Sequence, residues 1–431
     1  MQTMFSTLSV LFLLQGEIFM NKWKKQFAII YTGQAFSLLG SAAVQFAVIW
    51  WLTIQTKSAI TLTVASIISF LPNLLIGPFA GVWIDRYNRG KVMITADGLV
   101  ALSSVILGIA FLITDTPSVA FIYAILFLRG LGNTFHSPAM QSAIPLLVPA
   151  EMLTKAGGWG NLISSISNML GPVVGAGLMG LFSIKAIMLV DILGAIFAIV
   201  CLLFVKIPNI PRTVEKPDFR SDFGQGISAM RKNKPLMAVL PSYLLATIIY
   251  MPLGALFPLF VYNYFGGNAG HNSIVEFVFA GGLMVSSLIM GVWGGLRKRF
   301  LMISLAIGLQ GTAIMISGAL PQSGFWAFVI CSFFMAGAGT LFNVPYMAYI
   351  QETTEPEVMG KVFSLLMTAM TLAMPIGLLV AGPAVEIVGV EVWFFWSGIA
   401  MIGASILCYV LTRKFDKGNS QSKISEQTER E

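Results

Sequence analysis

The sequence predicts an all-α, polytopic membrane protein with twelve transmembrane helices in two pseudo-symmetric six-helix bundles. Three observations lead to this fold class. Of the 431 residues, 56% are hydrophobic and only 10% are charged, whereas soluble domains carry roughly 25% charged residues. Twelve apolar runs are each long enough to cross a bilayer, which takes about 20 helical residues. The first six runs and the last six share a repeated pattern, described below.

The apolar runs define the predicted elements in chain order. In the first half we expect helices over 27–53, 61–84, 92–114, 118–145, 157–182 and 184–205. In the second half we expect helices over 236–262, 273–296, 300–320, 324–349, 361–386 and 391–411. The predicted domains are a dispensable extension, 1–19, an N-terminal half, 20–205, a cytoplasmic linker, 206–235, a C-terminal half, 236–412, and a disordered cytoplasmic tail, 413–431. The basic stretch that begins at Met20 is typical of a natural start.

The distribution of basic residues predicts the orientation of the chain. If the N-terminus is cytoplasmic, all but three of the 26 Lys and Arg residues fall on the inner side, the exceptions being Lys57, Lys185 and Arg129. Such a bias orients multispanning chains. We therefore expect a multi-pass protein of the plasma (inner) membrane with both termini in the cytoplasm. The bias also accounts for the net charge of +7 without a nucleic-acid partner.

An internal repeat relates the two halves. Five residues of the fourth predicted helix have identical counterparts, at a constant separation, in the tenth. They are Gly130, Gly132, Phe135, Pro138 and Met140, which match Gly337, Gly339, Phe342, Pro345 and Met347. Parallel repeats are typical of transporters that bind solute between their halves and work by alternating access. A membrane enzyme is the alternative, but the sequence shows neither a catalytic set nor a phosphate-binding loop.

The loop after the second predicted helix carries a charged motif, GVWIDRYNRGK. Its candidate gating residues are Gly81, Asp85, Arg86, Arg89 and Lys91. The motif resembles the loop signature of the major facilitator superfamily, from which Asn88 and Gly90 depart. The resemblance implies an inner gate in which Asp85 pairs with cations, while Gly81 permits a close helix approach. The alternative is that the cations only follow the inside-positive bias, which explains neither Gly81 nor Asp85.

The fifth predicted helix contains a second motif. Gly171, Pro172 and Gly175 resemble a motif of the superfamily's drug-proton antiporters. Glycines four apart permit tight packing, and a proline bends a helix; ordinary small-residue packing is the alternative. The segments FHSPAMQSAIPLLVP, GQAFSLLGS and IMLVDILGAIFA also resemble the branch that contains bacterial macrolide-efflux proteins.

Membership of this branch implies a major facilitator fold and proton-driven export of macrolides or similar amphipathic drugs. The resemblance also implies a small-molecule substrate, a lipid environment, a monomer, and no cofactor beyond the proton gradient. The alternative is an exporter or importer of another compound, such as a tetracycline-like drug, a siderophore or a metabolite. The sequence gives no indication for or against an ATP-binding partner.

Three ionisable residues inside predicted helices are candidates for proton coupling, because charges in the bilayer are costly. Arg129 lies about ten residues into the fourth helix, or ~15 Å deep at ~1.5 Å per residue. Asp191 lies well inside the sixth helix, where apolar surroundings favour a neutral carboxyl. Asp97, near the inner end of the third helix, is either a proton carrier or a member of the Asp85 cluster. For Arg129 the alternative to a functional role is a static ion pair.

The first predicted helix has a polar stripe, which we interpret as a wall of the substrate cavity. The stripe consists of Gln34, Ser37, Ser41 and Gln45 at helical spacing. Glutamines facing lipid would lack partners, although interhelical hydrogen bonding is the alternative. Further cavity candidates are Asn161 and Asn168 of the fifth helix and Tyr250 and Phe257 of the seventh. No metal site is expected, because the chain has only two histidines.

Overall fold

The computed structural model describes residues 2–149, 152–205, 207–208, 219–296 and 298–428. These residues form helices joined by short connections, with no β-strand among them. Twelve of the described helices are long and apolar enough to cross a membrane. The predicted all-α fold class with twelve membrane helices is therefore confirmed.

The helices follow one another in the predicted order. The first six membrane helices are α1 (Gln2–Thr56), α2 (Ala59–Arg86), α3 (Arg89–Ile113), α4 (Val119–Leu147), α5 (Leu153–Leu181) and α6 (Ile184–Leu203). A short helix, α7 (Phe219–Lys232), follows. The last six are α8 (Lys234–Leu259), α9 (Ala269–Trp293), α10 (Arg299–Ala319), α11 (Phe325–Thr353), α12 (Pro356–Val388) and α13 (Val390–Thr428). A π-helical turn, Phe260–Tyr264, extends α8.

Side-chain caps fix where several helices begin. The Asn88 carboxamide oxygen accepts a hydrogen bond from the Lys91 amide at 3.1 Å, which starts α3. The Ser118 hydroxyl accepts one from the Phe121 amide at 3.3 Å, which starts α4. These caps satisfy N–H groups that the first helical turn leaves unpaired. Prolines inside several helices do not end them, because neighbouring helices support the freed backbone groups in membrane proteins.

Three segments outside the membrane helices differ from the prediction. The linker, 206–235, contains helix α7, whose last turn carries Arg231 and Lys232, cations that stabilise a helix C-terminus. Helix α1 begins at Gln2, inside the predicted extension 1–19. Helix α13 continues to Thr428, through most of the tail predicted to be disordered. No proline interrupts either terminal segment, so both can propagate the adjoining helix.

The helices divide into two compact units. The first comprises Met1–Val48 and Ile68–Val214, and the second Ile49–Ile67 and Glu215–Glu431. The division falls in the predicted linker, but the tip of the first hairpin groups with the second unit and not with 20–205. Side chains of the second unit hold this tip. The Glu386 carboxylate accepts hydrogen bonds from the Ser58 hydroxyl and from the Ile60 amide (3.2 Å), and the Asn263 amide donates to the Lys57 carbonyl at 3.2 Å.

Glycines allow close helix contacts within each unit. A Cβ on Gly132 of α4 would lie 2.8 Å from a methyl carbon of Val100 in α3. In the second unit, a Cβ on Gly311 of α10 would lie 2.8 Å from the Cβ of Met401 in α13. Only glycine permits such approaches. In the first unit, the contact between α3 and α4 brings the polar residues of these two helices together.

Candidate functional site

The first unit contains a buried ion pair between Arg129 of α4 and Asp191 of α6. Arg129 is 4% exposed and Asp191 is fully buried. Two serines complete the cluster. Ser104 of α3 accepts a hydrogen bond from Arg129 (2.7 Å) and donates one to Asp191 (2.6 Å). Ser41 of α1 donates to the other carboxylate oxygen of Asp191 at 2.6 Å, and its carbonyl accepts from Arg129 at 3.3 Å.

This cluster joins four helices through one carboxylate. The Asp191 carboxylate accepts three hydrogen bonds, one from the Arg129 guanidinium and two from serine hydroxyls. These bonds compensate the carboxylate for the loss of water. A buried ion pair is tolerated only when such bonds offset the desolvation of both charges. The structure thus brings together Arg129 and Asp191, both predicted from the sequence, with Ser104, which the sequence analysis missed. Ser104 was detectable, because it lies two helical turns after Asp97 on the same face of α3.

A second carboxyl, Asp97 of α3, lies in the same unit and is 6% exposed. The Gln34 amide donates to Asp97 Oδ2 at 3.4 Å. His136 Nε2 of α4 lies 3.4 Å from Asp97 Oδ1 without hydrogen-bond geometry, so the contact is an ion pair only when the imidazole is protonated. The charge of Asp191 also acts on Asp97. Among the described side chains, Asp97 therefore belongs with Gln34, His136 and Asp191.

Two residues of the polar stripe of α1, Gln34 and Ser41, contact these carboxyl groups. Gln34 and Ser37 are buried, Ser41 is half-buried and bonded to Asp191, and Gln45 is half-buried. The prediction that the stripe lines an open cavity is corrected for Gln34 and Ser41, because interhelical hydrogen bonds use their polar atoms. Burying an amide without partners is costly, and the two acids supply those partners. Gln34 and Ser41 therefore position the two acids within the first unit.

The second unit contains a cavity of about 310 Å³ between α8, α9, α11 and α12. Its wall is largely aromatic and apolar, and its lining includes Tyr243, Tyr250, Leu283, Phe342, Asn343 and Met370. The Asn343 amide donates to the Tyr243 hydroxyl at 3.2 Å, and Tyr243 stacks on Tyr346 with ring centroids 4.3 Å apart. Few polar groups on an apolar wall are typical of sites for amphipathic ligands. Tyr250 thus lines this cavity, and its contact with substrate stays a prediction.

Phe257 lies elsewhere, so its assignment to the cavity is corrected. It is 3% exposed and packs edge-to-face against Phe279 and Phe328, with ring centroids 5.6 and 5.7 Å apart. Phe394 of α13 lies on a third side at 6.2 Å. Phe257 is two turns beyond Tyr250 on α8, where aromatic residues of α9, α11 and α13 cover the same helix face. Its role is core packing.

Comparison with known proteins decides the family. A sequence model described as Major Facilitator Superfamily matches residues 30–291 and 239–429. The chain belongs to this superfamily. Its sequence is therefore that of a multi-pass membrane transporter, as the repeat and the apolar helices predict.

Relatives within the superfamily include named efflux proteins. Macrolide efflux protein A of Streptococcus pyogenes is 40% identical over 400 residues, covering 92% of this chain and 98% of that protein. Macrolide efflux protein A of Enterococcus faecalis is 40% identical over 315 residues, covering 73% and 97% respectively. The predicted resemblance to the macrolide-efflux branch is confirmed. A bacterial homologue of the iron transporter ferroportin, solved in an inward-facing state, shares the fold with a TM-score of 0.69 and 16% identity, covering 91% of this chain and 98% of that chain.

The antiporter-like motif of α5 packs against α1. A Cβ on Gly175 would lie 2.7 Å from the carbonyl oxygen of Ala43, and one on Gly171 would overlap Ala42. Both glycines therefore permit a close contact between α5 and α1, and the helix-bending role of the motif stays a prediction. Pro172 is buried, and α5 continues through it from Leu153 to Leu181. Of the two asparagines proposed for this helix, Asn168 is exposed, and the Asn161 side chain lies outside the described residues.

The superfamily's loop motif is only partly described. The side chains of Gly81, Asp85 and Arg86 lie outside the described residues, so their gating role stays a prediction. Arg89 is 3% exposed, and its Nε donates to the Ser142 hydroxyl of α4 at 3.2 Å. Lys91 is exposed, and its backbone amide is capped by Asn88. Arg89 thus ties the start of α3 to α4, whereas the Lys91 side chain faces outward.

Proposed function

We propose that the protein exports macrolide antibiotics, or closely similar amphipathic drugs, across the plasma membrane in exchange for protons. The observation that carries this proposal is 40% identity over 92% of the chain to a protein named for macrolide efflux. Near full coverage of both chains matters, because the substrate surface and the coupling residues of such transporters come from several helices.

The cavity of the second unit supports an amphipathic substrate. Its volume, about 310 Å³, is at the lower end of the roughly 300–1,000 Å³ found for ligand sites. It can therefore accommodate part of a large macrolide. Tyr250 and the accessible edge of Phe342 offer aromatic surface, and Asn343 offers a polar contact. We propose that these residues bind the apolar and hydroxylated faces of the drug.

The acids of the first unit support proton coupling. Asp191 is fixed by Arg129 and two serines, whereas Asp97 has one long hydrogen bond and an imidazole beside it. Asp97 is therefore the more loosely held acid, and we propose that it exchanges the proton while Asp191 and Arg129 set the local charge. The interaction between Asp191 and Asp97 gives the ion pair an influence on this exchange.

We further propose that both termini lie in the cytoplasm and that the protein acts as a monomer. The basic residues on the predicted inner loops support the orientation. A reporter that is active only in the cytoplasm, fused after Glu431, should be active. The mass of the detergent-solubilised particle should equal that of one 46.7 kDa chain plus its bound detergent and lipid.

The central experiment measures accumulation of a radiolabelled macrolide in a drug-sensitive bacterium that expresses the full chain. Cells with the protein should accumulate less drug than cells with empty vector, and a protonophore should abolish the difference. In cells that express Asp97→Asn at the parental level, the difference in accumulation from empty vector should be absent even without a protonophore. Equal accumulation with and without the well-expressed protein would refute macrolide export, and a screen of tetracyclines, siderophores and metabolites would then identify the substrate.

A further inference from the structure

Helix α9 carries a carboxyl group that the proposed coupling scheme does not use. Glu276 lies two turns from Ala269, the first residue of α9, or about 10 Å along the helix axis. Asn272 donates its amide N–H to Glu276 Oε1 at 2.8 Å. Within the described part of the chain, no Lys, Arg or His forms an ion pair with Glu276. An uncompensated charge in a membrane helix is costly.

In the described part of the chain, no charged group of the helices packed against α9 forms an ion pair with Glu276 either. These neighbouring elements are α11, α8 and the π-helical turn that follows α8. On α9 itself, the one other titratable group is His271. The titratable groups of the neighbouring elements are Lys234, Tyr243, Tyr250, Tyr262, Tyr264, Cys331, Tyr346, Tyr349 and Glu352. Among the described residues, Asn272 is the side-chain hydrogen-bond partner of Glu276. The carboxyl group and its amide partner therefore form an isolated pair.

The amide partner is itself incomplete. Asn272 is fully buried, and its Oδ1 has no hydrogen-bond donor. Buried acceptors normally have a donor, and leaving one without costs stability. A proton on Glu276 supplies the missing donor. The carboxyl O–H then bonds Asn272 Oδ1, while the amide N–H continues to bond the other carboxyl oxygen. One proton thus satisfies both side chains and neutralises the site.

The pair shares a helix face with the cavity of the second unit. Leu283, which lines the cavity with Tyr250 and Met251, is two turns beyond Glu276. Residues two turns apart lie on the same face of a helix. Glu276 is also only half-buried, and it lies within about 10 Å of the start of α9, where the helix meets its connecting loop. A change in the occupancy of the cavity can therefore alter access to the carboxyl group about 10 Å away along α9.

We propose that Glu276 and Asn272 form a proton-binding site in the second unit, and that substrate movement is coupled to release of this proton. On release, the O–H bond of the Glu276 carboxyl breaks, the proton passes to water, and the carboxylate stays bonded to the Asn272 amide. Proton binding by the pair stands on the geometry alone. Its coupling to substrate rests on the macrolide–proton exchange proposed above.

The coupling is tested with purified protein in liposomes. Glu276→Gln replaces the acid by an amide that keeps a donor for Asn272 Oδ1, so the variant should fold. The variant should still exchange macrolide across the liposome membrane when the pH is equal on both sides. It should lose the part of the uphill transport that the Glu276 proton drives. With Asp97 as the other proton site, one pH unit supports about a hundredfold drug concentration ratio in the parent and about a tenfold ratio in the variant. The matched control is Glu355→Gln, which alters an exposed carboxylate at the start of α12 and should transport like the parent.

Proton binding is tested without any substrate. Infrared spectra of the parent in lipid at neutral pH should contain a protonated-carboxyl band that Glu276→Gln removes and Glu355→Gln leaves. Asn272→Leu should shift that band, because it removes the hydrogen-bond partner. An unchanged band in Glu276→Gln would overturn proton binding, whatever the substrate proves to be. The coupling would be overturned if Glu276→Gln transported the drug uphill like the parent. It would also be overturned if transport depended on a sodium gradient and not on pH.

Discussion

The ion pair between Arg129 and Asp191 allows a quantitative test of the first unit. Replacing one member of a buried pair leaves an uncompensated charge and costs about 3–5 kcal/mol. The two single variants should differ. Arg129→Leu leaves a carboxylate that still has two serine donors and that can take up a proton. Asp191→Leu leaves a guanidinium, which cannot be neutralised. We therefore expect costs of about 3 kcal/mol for Arg129→Leu and about 5 kcal/mol for Asp191→Leu.

The double variant separates pairing from other effects. Removing both charges together should cost about 2 kcal/mol or less, because apolar replacement of a buried pair is often neutral. The assay is the temperature at which half of the detergent-purified protein loses its monodisperse elution. Each kcal/mol shifts a midpoint by roughly 2–4 °C in a unit of this size, so a difference of about 3 kcal/mol should make Asp191→Leu melt about 6–12 °C below the double variant. Additive losses in the double variant would refute the pairing argument.

Three further variants test other contacts. Gly175→Leu should destabilise the protein by about 1–3 kcal/mol in the same melting assay, because α1 leaves no space there, whereas Gly177→Leu, with nothing within 4 Å, should melt like the parent. Asn343→Leu should weaken macrolide binding about tenfold in equilibrium dialysis through loss of one polar contact; unchanged affinity would remove the cavity of the second unit from the substrate site. Glu386→Ala should cost about 1 kcal/mol by removing the acceptor at the start of α2. Faster hydrogen exchange confined to the first turn of α2 should report it, and unaltered exchange there would contradict the cap.

The membrane helices could be predicted from the sequence because apolar length alone defines them. A membrane-spanning helix needs about 20 apolar residues whatever it packs against. Helix α7 could not be predicted this way, since its sequence is polar and its stability depends on neighbours. The grouping of 49–67 with the second unit was equally hidden, because it depends on contacts of Ser58 and Ile60 with Glu386, which is far away in sequence.

The site was predictable in its charges but not in its pairings. Arg129 and Asp191 stood out as ionisable residues in apolar helices, and the structure shows that they face each other. Gln34 and Ser41 stood out by periodicity, but helical spacing says which residues share a face and not what that face meets. Phe257 shows the same limit, because its spacing from Tyr250 placed it correctly on α8 while three other helices determined its burial.

The ion pair also has a consequence for biogenesis. Helix α4, which carries Arg129, is the least apolar of the twelve described membrane helices, and α6, which carries Asp191, is the most apolar. During synthesis α4 leaves the ribosome before its counter-charge exists, and an arginine near a helix centre opposes insertion by about 2.5–3.5 kcal/mol. Helix α6 can enter the lipid unaided despite its aspartate. Stable insertion of α4 should therefore wait for α6, which makes the order of translation part of how this fold is assembled.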